Sequence, residues 1–501
     1  MSTNTNTVQH SALSWFEIPT ADFDRARRFY ETIFEAALRE EPFGPGRIAA
    51  VIARNRHLPR RERAPRSDAG AGHGGRRESR DTEDRVAARN GIYRAHRRLG
   101  RESGRAARDL LTGCDAPTGC SRSSSCCEAV GTSRHAGLAS GLEYITSAPY
   151  YFQAAGDPAV GIDRLGIGYF GSLAFDRTMS GSGILVARST PADNGLFVDA
   201  VPTPVDIQGP SSNLFDDKDA LTVDNVFASP FSGSVYSTFT QFTLHTSPIH
   251  ASYSRDQAAK FSPPALVSHA STALCAGSGL CADDQGSSVA IGPHGIVYVA
   301  YENYDTTTVQ NQILIARSTD GGMTFGAPVK VAADYDITNP YKSVRVNSFP
   351  NLAVNPSTGQ LYVVWADQRS GSPELYISTS TSGINRWSAP RPVVVPNFGG
   401  FRFFPAVGVQ ASTGNVYVSF YDNVRHPGVD AYDYFYRRLA PNLKPEIPET
   451  QASRVVITPN VDFSGGFFGD YTSLATTSEG AHLIWTGTST GQQDIETRLV
   501  R

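Results

Sequence analysis

The sequence predicts an all-β fold: a six-bladed β-propeller over residues 147–501, preceded by a short α/β fragment and a disordered basic segment. Three observations predict it. A glycine-anchored motif recurs along the second two-thirds of the chain, with anchors 67, 62, 64, 55 and 66 residues apart. Short apolar runs flank each copy. The composition, with 46 Gly, 31 Pro and 21 Tyr in 501 residues, is that of a turn-rich β protein long enough to bury a large core. Repeats outrank local propensity as a fold signal, because each unit is one sheet that cannot bury its faces alone.

Residues 1–52 read as the start of a different domain. Ala12 to Ile18 is strand-like. Thr20 or Asp22 can cap a helix from Phe23 to Ala37, where Phe23, Ala26, Phe29 and Tyr30 recur at helical spacing. The run from Ser14 to Pro19, followed by Asp22, Arg25, Ala26, Phe29, Tyr30 and Phe34, resembles the opening βα unit of a glyoxalase/bleomycin-resistance (vicinal oxygen chelate) module. The resemblance covers about 40 residues of a module that needs further strands to close its sheet.

Residues 53–146 do not continue that unit. From Arg54 to Arg108 there are 17 Arg against 7 Asp and Glu, with neither a period of 2 nor one of 3.6. Such a stretch reads as disordered. A nucleic-acid-binding arm is one account of it. A shifted reading frame is the better one. With permitted GC-rich codons, Gly91 to Leu99 read one base downstream can encode Gly-Tyr-Ile-Ala-His-Ile-Val-Asp-Ser, which resembles a closing strand of the same glyoxalase-like module. On this account any metal or substrate site of that module is lost. Residues 111–146, with Cys114, Cys120, Cys126 and Cys127, read as further junction sequence.

From residue 147 the anchor is Gly-x-(apolar)-Tyr. It occurs at Gly166–Tyr169, Gly233–Tyr236, Gly295–Tyr298, Gly359–Tyr362 and Gly414–Tyr417, with a weaker sixth at Gly480–Leu483. Each anchor follows a predicted strand: Pro158–Ile162, Ala220–Val223, Ser288–Ile291, Asn351–Val354, Ala406–Val409 and Thr472–Ala475. A second strand follows (Val297–Tyr301, Leu361–Trp365), then a third (Ile313–Arg317, Leu375–Ser378). Even spacing of short strands with Gly-rich turns is the propeller cue.

One turn narrows the family. Ser318, Asp320, Gly322, Thr324 and Phe325 fit Ser-x-Asp-x-Gly-x-Thr-aromatic. The Asp can accept backbone N–H bonds within the turn, and Gly322 can supply a positive φ. Placed after a third strand, the octapeptide resembles the Asp-box of sialidase-like (BNR-repeat) propellers, with decayed copies at 254–261, 380–387 and 189–197. The resemblance implies a structural role for Ser318, Asp320, Gly322 and Phe325 on the blade periphery. It also implies a glycan or glycoprotein partner outside the cell.

In a propeller, the loops leading into the innermost strands and the turns between second and third strands open on one face. The former offer Asp157, Asp217, Lys218, Asp284, Gln285, Arg345, Asn347, Arg402, Asp470 and Tyr471. The latter offer Asp305, Asp367, Arg369, Asp422 and Arg425. This inventory suits an anionic sugar. Arg345, Arg402 and Arg369 are candidates to clamp a carboxylate, with Lys218, Gln285 and Asp470 as further substrate contacts. Tyr471 is the candidate nucleophile, and Asp157 or Asp217 the candidate acid/base, the arrangement by which sialidases depart from other glycosidases. The same residue types also cap strands and pair with each other. The Phe/Tyr-Arg-Ile-Pro motif of sialidases does not occur, and Phe401 to Pro405 is only an approximate echo of it. Two rivals therefore stand beside an exo-α-sialidase-type hydrolase: a non-catalytic carbohydrate- or protein-binding propeller, and a gene fusion without function as a whole.

Net charge is −3, which gives no overall nucleic-acid signature. No apolar run reaches the length of a membrane span, and Met1 to Gln9 has no signal-peptide core. No cofactor is expected, and no spacing reads as a metal site. Cys275 and Cys281 can close a short loop or stay as thiols. Oligomeric state is not legible.

Overall fold

The computed structural model describes residues 38–43, 46–51, 152 and, with short gaps, 154–501. The chain divides into two compact units, Met1–Arg101 and Glu102–Arg501. In the first, β1 (Leu38–Phe43) and β2 (Gly46–Val51) form an antiparallel hairpin. The strand and helix expected before it, and the basic segment after it, lie outside the described residues.

The second unit is nearly all β, a six-bladed propeller. Each blade is an antiparallel meander. The first three strands of each run as follows. Blade 1 has β3 (Ala154–Ile162), β4 (Gly168–Phe175) and β5 (Ser182–Arg188). Blade 2 has β7 (Phe215–Val223), β8 (Val235–Phe242) and β9 (Ile249–Ser254). Blade 3 has β11 (Asp284–Ile291), β12 (Val297–Asn303) and β13 (Asn311–Ser318). Blade 4 has β15 (Asn351–Val354), β16 (Leu361–Asp367) and β17 (Glu374–Ser380). Blade 5 has β19 (Arg402–Val409), β20 (Val416–Asp422) and β21 (Asp433–Leu439). Blade 6 has β23 (Ser473–Thr477), β24 (Gly480–Gly487) and β25 (Asp494–Val500). A fourth, outermost strand completes blades 1 to 5: β6 (Thr203–Gln208), β10 (Ala265–Leu266), β14 (Val329–Asp334), β18 (Arg391–Pro392) and β22 (Pro445–Gln451).

The anchor motif has two physical jobs. Its glycine turns the chain between first and second strands, at a φ of 74° to 87° in the first five copies and 151° at Gly480, conformations that a Cβ opposes. Its tyrosine, or Leu483 in the sixth copy, is buried where the second strand begins. Second strands are buried on both faces where each blade packs a neighbour on either side; β12, β16 and β20 are buried along their whole length. The cores accordingly lie between blades. One joins Tyr169 and Leu173 to Val223 and Phe239, another Tyr298 and Ile315 to Trp365 and Tyr376.

The turn at Ser318–Phe325 is held by its own side chains. Ser318 Oγ donates to Asp320 Oδ1 and accepts from the Gly322 N–H, while Asp320 accepts from the Thr324 N–H at 2.9 Å and the Thr324 hydroxyl at 2.5 Å. Burial raises the Asp320 carboxyl slightly, but the bonds from Thr324 and Ser318 bring it below its ordinary value. Phe325 is buried in the core between blades 2 and 3. Cys275 is disulfide-bonded and buried; Cys281 lies outside the described residues. Among the described residues no helix is long and apolar enough to cross a membrane.

Candidate functional site

The innermost strands of blades 1, 2, 3 and 5 break register at the same place. The breaks fall between Gly156 and Ala159, Asp217 and Ala220, Gln285 and Ser288, and Phe403 and Ala406. Each sets two residues against one of the second strand, and the first of the two has a positive φ: Asp157 (54°), Lys218 (55°), Gly286 (65°) and Phe404 (48°). A β-bulge bends its strand and re-aims side chains. In blades 1 and 5 the second residue of the bulge is proline, Pro158 or Pro405, which has no N–H to leave unpaired. Counting from the register of the second strands, Phe349 holds the equivalent position in blade 4; in blade 6 Tyr471 enters from just before β23.

These positions meet in the middle. The Lys218 ammonium lies 3.4 Å from the centre of the Tyr471 ring and 5.4 Å from that of Phe349. Gly286 backs onto Phe349 so closely that a Cβ there would sit 2.1 Å from Phe349 Cγ. Around this centre stand Arg345 and Asp470, joined by a two-pronged ion pair with Nε to Oδ1 at 2.9 Å. The Arg345 side chain is 36% exposed and that of Asp470 7%.

The electrostatics follow from burial among like charges. Asp219 is 2% exposed, and among the described residues no hydrogen-bond donor reaches either oxygen. Burial, then the charges of Asp157 and Asp217, push its carboxyl well above the usual range, against the pull of Lys218. Burial and then Asp157, Asp219 and Asp217 hold the Tyr471 hydroxyl protonated. Desolvation lowers the Lys218 ammonium, opposed by Asp470 and Asp157. For Arg345, desolvation is outweighed by Asp470 and the guanidinium is held more firmly charged. The group thus combines a fixed cation, a second cation weakened by desolvation, a phenol and a carboxyl whose protons are held more tightly than usual, and the acidic side chains Asp157 and Asp217. Asp217 accepts from the Lys218 N–H at 2.7 Å.

Of the residues singled out in the sequence, Asp157, Asp217, Lys218, Arg345, Asp470 and Tyr471 are brought together here. Arg402 is not. Its side chain is 3% exposed and held by Glu374 and by Asp422, the latter at 2.7 Å, with the Val395 carbonyl at 3.3 Å. It bonds blade 4 to blade 5. Arg369 wraps Asp367, donates to the Ala333 carbonyl at 2.6 Å and lies 4.7 Å from the centre of the Tyr376 ring. Gln285 lies opposite Glu302 across β11 and β12, beside Gly286 in sequence. Asp284 accepts from Asn303 at 2.8 Å, Arg425 donates to Gln451, and Asp305 lies outside the described residues. Asp219, Gly286, Phe349 and Phe404 were not apparent in the sequence. Aligning the repeats on the ends of their first strands, Ile162, Val223, Ile291, Val354 and Val409, would have found the central position of blades 1 to 5, which lies five residues earlier in each.

No protein-family profile matches the sequence, and no curated protein matches it. The chain is similar in structure to an α-L-arabinofuranosidase of Fusarium graminearum bound to an iminosugar inhibitor. The identity is 12%, over 69% of this chain and 92% of that one, with a TM-score of 0.41. A protein of unknown function from Dyadobacter fermentans aligns at 12% identity over 68% and 93%, with a TM-score of 0.46. A Hadza microbial sialidase aligns at 13% identity over 70% and 66%, with a TM-score of 0.43.

Proposed function

We propose that the propeller is a carbohydrate-active domain of the sialidase-like, Asp-box type, and that its axial cluster takes an anionic terminal sugar. One observation carries this reading: Asp157, Asp217, Lys218, Asp219, Arg345, Asp470 and Tyr471 come from four different blades and converge on one centre. Burying that many charges against one another costs more than an apolar plug would, and such perturbed groups cluster at functional sites. In this reading Arg345, steadied by Asp470 and still partly exposed, meets the sugar carboxylate. Tyr471 attacks the anomeric carbon as Asp157 takes its proton. Asp217 or Asp219, carrying a proton, protonates the leaving oxygen. No cofactor enters. The disulfide at Cys275 fits an oxidising compartment outside the cytosol.

A fluorogenic α-sialoside tests the proposal. Turnover lost by at least a hundredfold in Tyr471→Phe and Arg345→Ala, in folded protein, is the expected result. The Lys218 ammonium seated on the Tyr471 ring favours a second reading, a binding propeller without turnover. That reading expects glycan affinity, lost in Arg345→Ala, and no hydrolysis. The shifted-frame reading of residues 53–146 has its own test in the coding DNA across residues 50–147: the alternative frame either encodes the rest of a glyoxalase-like module or does not.

A further inference from the structure

A second cluster, sharing no residue with the axial one, lies at the top of blade 3. Glu302 stands near the end of β12, Asp334 ends β14, and Asp336 follows two residues on. One carboxylate oxygen from each lies within 4.8 Å of the other two. Glu302 and Asp334 are 0% exposed and Asp336 is exposed. The donors around them are neutral. Asn311 Nδ2 reaches Glu302 Oε1 at 3.2 Å and Asp336 Oδ2 at 2.8 Å, and the Tyr304 hydroxyl reaches Glu302 Oε2 at 3.2 Å. The nearby guanidinium of Arg369 is committed to Asp367 and the Ala333 carbonyl.

Asp334 stands apart from the other two. Both of its oxygens are buried, and no donor among the described residues reaches either one. A wholly buried carboxylate facing two others is repelled by both, and a cation between them removes that repulsion.

We propose that Glu302, Asp334 and Asp336 bind a divalent cation, calcium in preference to magnesium. The ligands are all oxygen, which suits a hard cation. Calcium takes six to eight oxygens in a flexible shell, whereas magnesium dehydrates reluctantly and is usually held by one or two carboxylates and several waters; three carboxylates, two of them wholly buried, suit calcium. The exposed Asp336 gives the ion a route in and leaves room for the waters that complete its shell. Because Glu302 belongs to the second strand and Asp334 to the outermost one, the bound ion ties together two strands that β13 separates. The three come from positions 302, 334 and 336, so no local motif announces them in the sequence.

The test uses the full chain, stripped with EDTA and dialysed. Titration with calcium chloride is expected to give saturable heat at one site per chain and to raise Tm by several degrees, with magnesium chloride at least tenfold weaker. Terbium(III) in place of calcium is expected to luminesce on excitation of tyrosine, Tyr304 being adjacent, and Tyr304→Phe to dim that signal. Asp334→Asn is expected to lose calcium affinity by at least tenfold. Should that variant not fold, the exposed Asp336→Asn supplies the same comparison with a smaller loss. Absence of a calcium-dependent heat or Tm shift in the unmodified chain overturns the proposal, as does a folded Asp334→Asn or Asp336→Asn that binds as the parent does. Equal affinity for magnesium overturns the choice of calcium.

Discussion

Replacing Arg402 by alanine leaves Glu374 and Asp422, whose side chains are 0% exposed, without their shared counter-charge. Glu449, whose Oε1 lies 3.9 Å from the same guanidinium, is partly exposed and adds a third negative group. Burial, and a hydrogen bond with Asp422, already push Glu449 up to about 7 against the pull of Arg402. Breaking a buried pair by removing one partner costs about 3–5 kcal/mol, most of it the stranded charge. In a domain of this size each kcal/mol moves Tm by roughly 2 °C, so a drop of roughly 6–10 °C is expected. Thermal melts followed by circular dichroism at neutral pH measure it. Combining Arg402→Met with Glu374→Gln and Asp422→Asn removes the charges together and should recover most of the loss. The contrary outcome is clear. If Arg402→Ala melts within about 1 °C of the parent, a shift worth under about 1 kcal/mol, and instead binds an anionic sugar tenfold more weakly, then Arg402 is a ligand clamp and the seam reasoning fails.

Gly286→Ala puts a Cβ 2.1 Å from Phe349 Cγ at a φ of 65°. Left-handed strain of roughly 1–2 kcal/mol adds to overpacking of roughly 1–3, and urea unfolding should show the sum. Asp320→Ala removes bonds from Ser318 and from both the N–H and hydroxyl of Thr324. A loss of about 1–2 kcal/mol by the same measurement, with sugar affinity unchanged, is expected of a purely structural turn. Asp216 is 0% exposed, and burial followed by the charge of Asp206 pushes its carboxyl up to about 7, against hydrogen bonds from Gln241 and Gln208. A carboxyl raised in the folded state contributes stability that is whole below about pH 4 and is lost as pH rises through about 7. Melting temperature should therefore fall between pH 5 and pH 8 by more in the parent than in Asp216→Asn.

The blades were legible because each obeys the same constraints: a glycine that turns the chain, a buried tyrosine and a second strand hidden on both sides. The first halves of the inner strands were not. The sequence predicts Pro158–Ile162 and Ala220–Val223, whereas the strands run Ala154–Ile162 and Phe215–Val223. Proline, aspartate and lysine at 157–158 and 217–219 look like loop, since the bulge that accommodates them has no period-2 signature. Arg402 looked like a funnel residue because Glu374 and Asp422, the partners that enclose it, sit 28 and 20 positions away.

The bulges also bear on why the centre holds charge at all. A propeller axis can be filled with apolar side chains, and this chain does so with Phe349 and Phe404, Gly286 making room for the former. Asp157 and Lys218 occupy the bulge position that Gly286 and Phe404 hold in blades 3 and 5, with Asp217 and Asp219 on either side of Lys218. These four positions share one geometry, so the backbone does not dictate the polar choice. Folding alone disfavours it, because burial penalises the charged form of Asp219 and pushes its carboxyl well above its ordinary value. Places where a sequence departs from what its fold prefers are where function is expected. The departure here is confined to blades 1, 2 and 6, with Arg345 of blade 4 facing them through Asp470.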